Sequence, residues 1–124
     1  MSSRFLASEL FPADLSTPAA ARRFVLDSLR TAGAPVGDSI AVVVSELVTN
    51  SVLHAGSKPR VIVVVDEQCV RVEVHDADPT LPVRRDPGPQ TVSGRGLLLV
   101  DALTDRWGSD AAEDGKVVWF EIDR

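Results

Sequence analysis

The stretch "CVRVEVHD", residues 69 to 76, limits the possible folds of this chain more than any other. Val70, Val72 and Val74 fall on one face and Arg71, Glu73 and His75 on the other, the period of a strand buried on one side. Continuing the period of two places Asp76 on the valine face. A carboxylate at the buried end of a strand calls for a partner, because an unpaired charge taken out of water is costly. The preceding "RVIVVVD" is apolar at successive positions, as a strand lying centrally or covered on both sides would be. A short polar turn at Glu67 and Gln68 joins the two, so they are expected to form a hairpin.

A sheet with one apolar face must be covered, and helical patterns supply the cover. In "STPAAARRFVLDSLRTAG", Thr17 can cap, Pro18 suits the first helical position, Ala21, Phe24, Val25 and Leu29 share a face, and Gly33 supplies the stop. A second helix is expected from near Asp38 to near Gly56, with Ile40, Val43, Val44, Leu47 and Ser51 on its stripe. "GRGLLLVDALTDRW" begins a third, packing through Leu97, Leu99, Val100 and Leu103. "SRFLASELF" has enough Phe and Leu for an N-terminal strand, and "DRWGSDAAEDGKVVWFEID" reads as a closing hairpin with Gly115 at its turn. Residues 77–93 hold half of the chain's eight prolines and almost no periodic apolar signal. So long a stretch within a compact domain is usually a lid, a binding loop or disorder. The order β-α-α-β-β-lid-α-β-β predicts an α+β fold, a two-layer sandwich whose mixed, mostly antiparallel sheet is packed on one side by about three helices.

At 124 residues the chain suits a single domain, 1–124, rather than two. Its apolar runs "IAVVV" and "VIVVV" are far too short to cross a bilayer, and the first residues lack the continuous apolar core of a secretion signal. The lone Cys69 has no internal disulfide partner and reads as a small core or edge residue. These features predict a cytoplasmic protein with no membrane association. A net charge of −5 disfavours direct nucleic-acid binding, which would ordinarily need a basic face. The acidic residues gathered toward the C-terminal end serve either solubility or the docking of a basic protein partner.

Three polar features interrupt the apolar patterns. In "SELVTNSVLHAG", Glu46, Asn50 and His54 fall within roughly 80° of helical arc, flanking the stripe at the edge of the core. Asn50 can offer a neutral oxygen to Mg²⁺, which keeps several waters and is often held by one or two protein groups together with substrate phosphates. Glu46 can accept a proton from an attacking hydroxyl or hold a water of the metal shell. Alternatively, both are solvated helix residues and His54 merely lies near a helix C-terminus, where positive charge is favoured. In "SGRGLLLV", Gly94 and Gly96 allow close backbone approach, and a helix starting at about Gly96 aims unpaired N–H groups at an anion that Arg95 can also contact. A loop-to-helix turn needs glycines in any case. Asp76, the third feature, can accept from an exocyclic amine such as that of adenine, or serve as a turn residue with backbone partners.

In this order the motifs resemble the Bergerat-fold ATP-binding family of gyrase, chaperone, histidine-kinase and mismatch-repair ATPases (GHKL). "ELVTNSVLHA" is similar to its N box, Asp76 in "VHDADP" to the acidic residue of its G1 box, and "GRGLLLV" to its G2 box. Within that group, "ELVTNSVLHAG", "GRGLLLVDALTDRWG" and "GKVVWFEI" look most like the anti-sigma factor serine/threonine kinases and their regulatory relatives. The resemblance implies ATP and Mg²⁺ as cofactors, Asn50 as the metal ligand, Glu46 as general base and His54 as a possible supporting residue. Asp76 becomes the adenine contact, Gly94, Arg95, Gly96 and Leu97 line the phosphates, and the lid spans about 77–93. It further implies a sigma factor and an anti-sigma antagonist as partners, and a possible homodimer. One departure stands out: the G1 box usually reads D-x-G-x-G, whereas "DADPT" places Asp78 and Pro79 where glycines allow close approach. That departure implies a narrower adenine site or a stiffer lid, and leaves an ATP-binding interaction module with little phosphotransfer as the alternative to a kinase. A detached sensor-kinase domain fits less well, because neither His54 nor His75 lies in a dimerising helical hairpin.

Overall fold

A computed structural model of the chain describes residues 4–55, 58–76, 94–112 and 115–124, with the backbone alone at 54–55, 94–97 and 112. In chain order these form β1 (Phe5–Leu10), α1 (Thr17–Thr31), α2 (Asp38–Asn50), a π-helical segment (Ser51–Ala55), β2 (Arg60–Val65), β3 (Cys69–Asp76), α3 (Gly94–Leu103), β4 (Arg106–Ala112) and β5 (Gly115–Asp123). The expected lid, 77–93, lies outside the described residues.

Burial alternates along β3 as its sequence requires, with Val70, Val72, Val74 and Asp76 buried. β2 alternates too: Val61, Val63 and Val65 are buried, while Ile62 and Val64 are only half-buried. Its unbroken apolar run therefore reflects a position between two strands rather than cover on both faces. The sheet order is β1-β2-β3-β5-β4, and all four pairings are antiparallel. No parallel pair occurs among the described strands. After β3 and α3, β4 takes the sheet edge and β5 pairs antiparallel with it, entering beside β3 in the opposite direction.

One core joins the sheet to the helices. Val63 and Val72 on the strands, Phe120 on β5, Val25 and Leu29 on α1, Val43, Val44 and Val48 on α2, and Val100 on α3 are all fully buried within it. Burial of each such side chain stabilises by roughly 1.5–3 kcal/mol relative to leaving it in water. The start of α1 differs by one residue from expectation. Ser16, not Thr17, takes the cap position, and Asp14 Oδ1 accepts from both Ser16 N and Ser16 Oγ. Thr17 is buried because its hydroxyl donates at 2.6 Å to the Pro12 carbonyl, a stronger claim on it than the cap. Gly33 ends the helix as read from the sequence: its φ of +73° lets Ala34 N donate back to Leu29 O at 2.9 Å.

The larger departure concerns α2. Its α-helical geometry stops at Asn50, and the next five residues wind as a π-helix rather than continuing the same spiral toward Gly56. Such wide turns are rare and often mark functional sites.

Candidate functional site

Four polar side chains meet at one end of the core because two strands and a helix end there. Asp76 closes β3 on the valine phase and is 4% exposed. Directly opposite it, across the β3–β5 ladder, stands Lys116, in phase with buried Val118 and Phe120. Asn50 and Ser51, at the junction between α2 and the π-segment, form the facing wall, and Leu47, Val74 and Val118 make the apolar floor. The enclosed space is narrow, about 10 Å³, enough for roughly one water. A wider groove of about 410 Å³ lies between β1 and α1, lined partly by Phe5, Phe11 and Phe24. None of the motif residues lines that groove, whereas Asn50 and Asp76 both line the narrow cleft.

The Asn50 amide has a defined orientation. Nδ2 donates to the main-chain carbonyl of Glu46 at 2.9 Å, which leaves Oδ1 as the atom able to ligate or accept. Glu46 lies one turn earlier and is half-buried, so a single helix turn carries both the amide oxygen and the carboxylate. Beside it, Arg22 Nη1 donates to Ser45 Oγ at 2.7 Å and fastens α1 to α2 at the level of the pair. Among the described residues no group of three or more His, Cys, Asp or Glu could hold a metal by itself. A donor set of one amide oxygen suits Mg²⁺ shared with phosphates and water, and the site fits that group on these terms.

Ser51 is 5% exposed, and its Oγ makes no hydrogen bond among the described residues. A serine in a helix ordinarily returns its hydroxyl to the carbonyl four residues back. Here it lies on the cleft wall instead.

Gly94, Arg95, Gly96 and Leu97 form the first turn of α3, which begins at Gly94 rather than Gly96. Their backbone is helical, so the N–H groups of this turn have no partner within the helix. The side chains of Arg95 and Leu97 lie outside the described residues, as does that of His54. Val100, fully buried, anchors α3 in the core. The structure thus brings Asn50 and Asp76 to one cleft with Glu46 a turn away. His54 follows in the π-segment.

Two residues were missed in the sequence. Ser51 was read as part of a packing stripe, and Lys116 was not singled out. Lys116 carried a usable signal: in "GKVVWFEI" it is the cation on the phase of Val118 and Phe120, where burial makes a charge informative.

Comparison with known proteins adds the family context. A family model described as a histidine kinase-like ATPase domain matches residues 11–122, a span from the end of β1 to within β5. An uncharacterized protein of Streptomyces coelicolor is 37% identical over 83 residues, covering 62% of this chain and 78% of that protein.

Proposed function

The chain belongs to the histidine kinase-like ATPase domain family, and on that premise we propose that it is an Mg-ATP-dependent regulator of the anti-sigma type. In this reading it transfers the γ-phosphoryl group to a serine or threonine of an anti-sigma antagonist, and it sequesters a sigma factor when the antagonist is phosphorylated. The observation that carries the nucleotide reading is the meeting of Asn50 and Asp76 on one apolar-floored cleft, from elements 26 residues apart in number. Support for the anti-sigma branch comes from the motif sequence "ELVTNSVLHAG", "GRGLLLVDALTDRWG" and "GKVVWFEI". Such partners imply a cytoplasmic setting. No helix among the described residues is long and apolar enough to cross a membrane.

Each residue has a defined task in this mechanism. Asp76 accepts a hydrogen bond from the exocyclic amine of adenine. The first-turn N–H groups of α3 hold phosphate oxygens. Asn50 Oδ1 would hold Mg²⁺, which when bound neutralises charge on the phosphates and orients them. Glu46 takes the proton of the attacking hydroxyl as its oxygen bonds to the γ-phosphorus and the bond to the ADP oxygen breaks. A second reading, an ATP-gated binding module without transfer, draws on Asp78 and Pro79 at positions where the family's G1 box has glycines.

Calorimetric titration with ATP, with and without Mg²⁺, tests the nucleotide reading. Wild type is expected to bind in an Mg²⁺-dependent way. Asn50→Ala should weaken binding by about tenfold or more, each tenfold being about 1.4 kcal/mol. Absence of binding in both proteins removes ATP from the function and leaves a protein-interaction module.

A further inference from the structure

We propose that Lys116 is the second half of a base-reading pair with Asp76, donating from its ammonium to the ring nitrogen N1 of adenine while Asp76 accepts from the neighbouring amine. The inference rests on the nucleotide-binding reading above and extends it to a residue outside the three sequence motifs.

The placement comes from the sheet. Asp76 and Lys116 are directly opposed across β3 and β5, and directly opposed side chains in an antiparallel ladder start from Cβ atoms roughly 4.5–5.5 Å apart. Both line the same cleft. A carboxylate and an ammonium on directly opposed residues that line one cleft can present an acceptor next to a donor. The Watson–Crick edge of adenine presents the complement: an amine donor at C6 next to an acceptor at N1. One residue alone reads half of that edge. Asp76 by itself accepts from any amine brought to it, whereas the pair also requires an acceptor beside the amine.

The environment favours this use of the lysine. Its neighbours on the same strand phase, Val118 and Phe120, are buried, so Lys116 extends an apolar face rather than a solvated one. A hydrogen bond to an ionised donor is roughly twice as strong as a neutral one, and more so where water is excluded. Ser51 gives an independent sign that this end of the cleft is built for a polar ligand. Its Oγ is buried on the facing wall and makes no hydrogen bond among the described residues. A ligand with polar edge atoms, or a water accompanying it, provides the partner that a buried hydroxyl requires.

Binding of ATP and of 1-deaza-ATP, which has a C–H in place of N1, to the whole chain tests the pair. Wild type should prefer ATP by about tenfold to a hundredfold, the worth of one charge-assisted hydrogen bond. Lys116→Met keeps the stem and removes the charge, so it should lower ATP affinity to that of the analogue and bring the ratio close to one. Lys116→Gln, a neutral donor, should restore part of the preference and serves as a second variant if the methionine protein does not fold. A wild type that binds ATP and its analogue equally overturns the proposal without any variant. So does an Lys116→Met protein that binds both more weakly but keeps the wild-type ratio, since that is the behaviour of a lysine serving only as a charge partner of Asp76. Failure of the wild type to bind Mg-ATP at all defeats the nucleotide reading itself and this inference with it, whereas failure of discrimination alone leaves that reading standing.

Discussion

Gly108 lies against the indole of Trp119, its register partner on the neighbouring strand: a Cβ added at Gly108 would stand 2.7 Å from Cζ2 and 2.9 Å from Cε2 of the ring. The ring has little freedom to retreat. The Arg71 guanidinium carbon is 4.4 Å from the ring centre, and Nε1 donates to Asp110 Oδ2 at 3.2 Å. Glycine is therefore used here for close approach, and Gly108→Ala should destabilise by about 1–3 kcal/mol, the usual cost of overpacking. Urea unfolding followed by far-ultraviolet circular dichroism measures the loss. Trp119→Leu in the alanine background should recover part of it. ATP affinity should stay within about twofold of wild type, less than 0.5 kcal/mol, because Trp119 is on the opposite strand phase from Val118 and Phe120 and so faces away from the cleft.

The same outer face makes stability depend on pH. Glu121 accepts from Arg106 Nε at 2.8 Å and from Arg71 Nη1 at 3.0 Å. The Arg106 bond is the main influence holding its carboxyl below the ordinary value, with Arg71 adding to it against the upward push of partial burial. For Glu73 burial is the largest influence and pushes upward, but its bonds to Arg71 and His75 together outweigh it, and the carboxyl is again lowered. A carboxyl lowered in the folded state is protonated first in the unfolded chain as pH falls. Its contribution is complete above the ordinary carboxylate range and is lost as pH drops through the folded values. The urea midpoint should accordingly decline below about pH 4.5. Glu121→Gln should start from a lower midpoint at neutral pH and show a shallower acid decline. An acid slope equal to that of wild type would take Glu121 out of this account.

How much of this could be read in the chain depended on whether a local pattern had a single structural meaning. The alternation of β3 had one, and it put Asp76 on the buried face, where it is 4% exposed. Gly33 also had one, because the helix end there requires a positive φ that glycine takes without strain. The apolar run of β2 had two meanings, and only its pairing with β1 and β3 selects between them. The π-turn after Asn50 was not legible, since the residues of "SVLHA" satisfy a stripe at 100° per residue equally well whether or not the helix widens. That single change alters the angle at which His54 follows Asn50. It also leaves Ser51, read as a packing residue, as a buried hydroxyl on the cleft. Lys116 was hidden for a different reason: its partner is 40 positions away in number, and no spacing rule brings Asp76 and Lys116 together before the order β3-β5 is known.

Glu46 offers a substitution that separates chemistry from scaffold, because Asn50 is tethered to the main-chain carbonyl of Glu46 and not to its carboxylate. Glu46→Gln therefore keeps the tether, the helix and the Oδ1 orientation while removing the base. Mg-ATP affinity, measured by calorimetry, should remain within about threefold of wild type, less than 1 kcal/mol. Transfer of label from γ-labelled ATP to an antagonist protein should fall by roughly 10²–10⁴-fold, the usual contribution of a positioned general base. Transfer undiminished by the substitution assigns the proton to another acceptor. If wild type binds Mg-ATP yet transfers no label, the cleft serves a conformational switch, and partner binding measured with and without ATP should then differ. A kinase and an ATP-gated binder share every residue of the cleft, so the distinction between them falls on what the Glu46 carboxylate does once the nucleotide is bound.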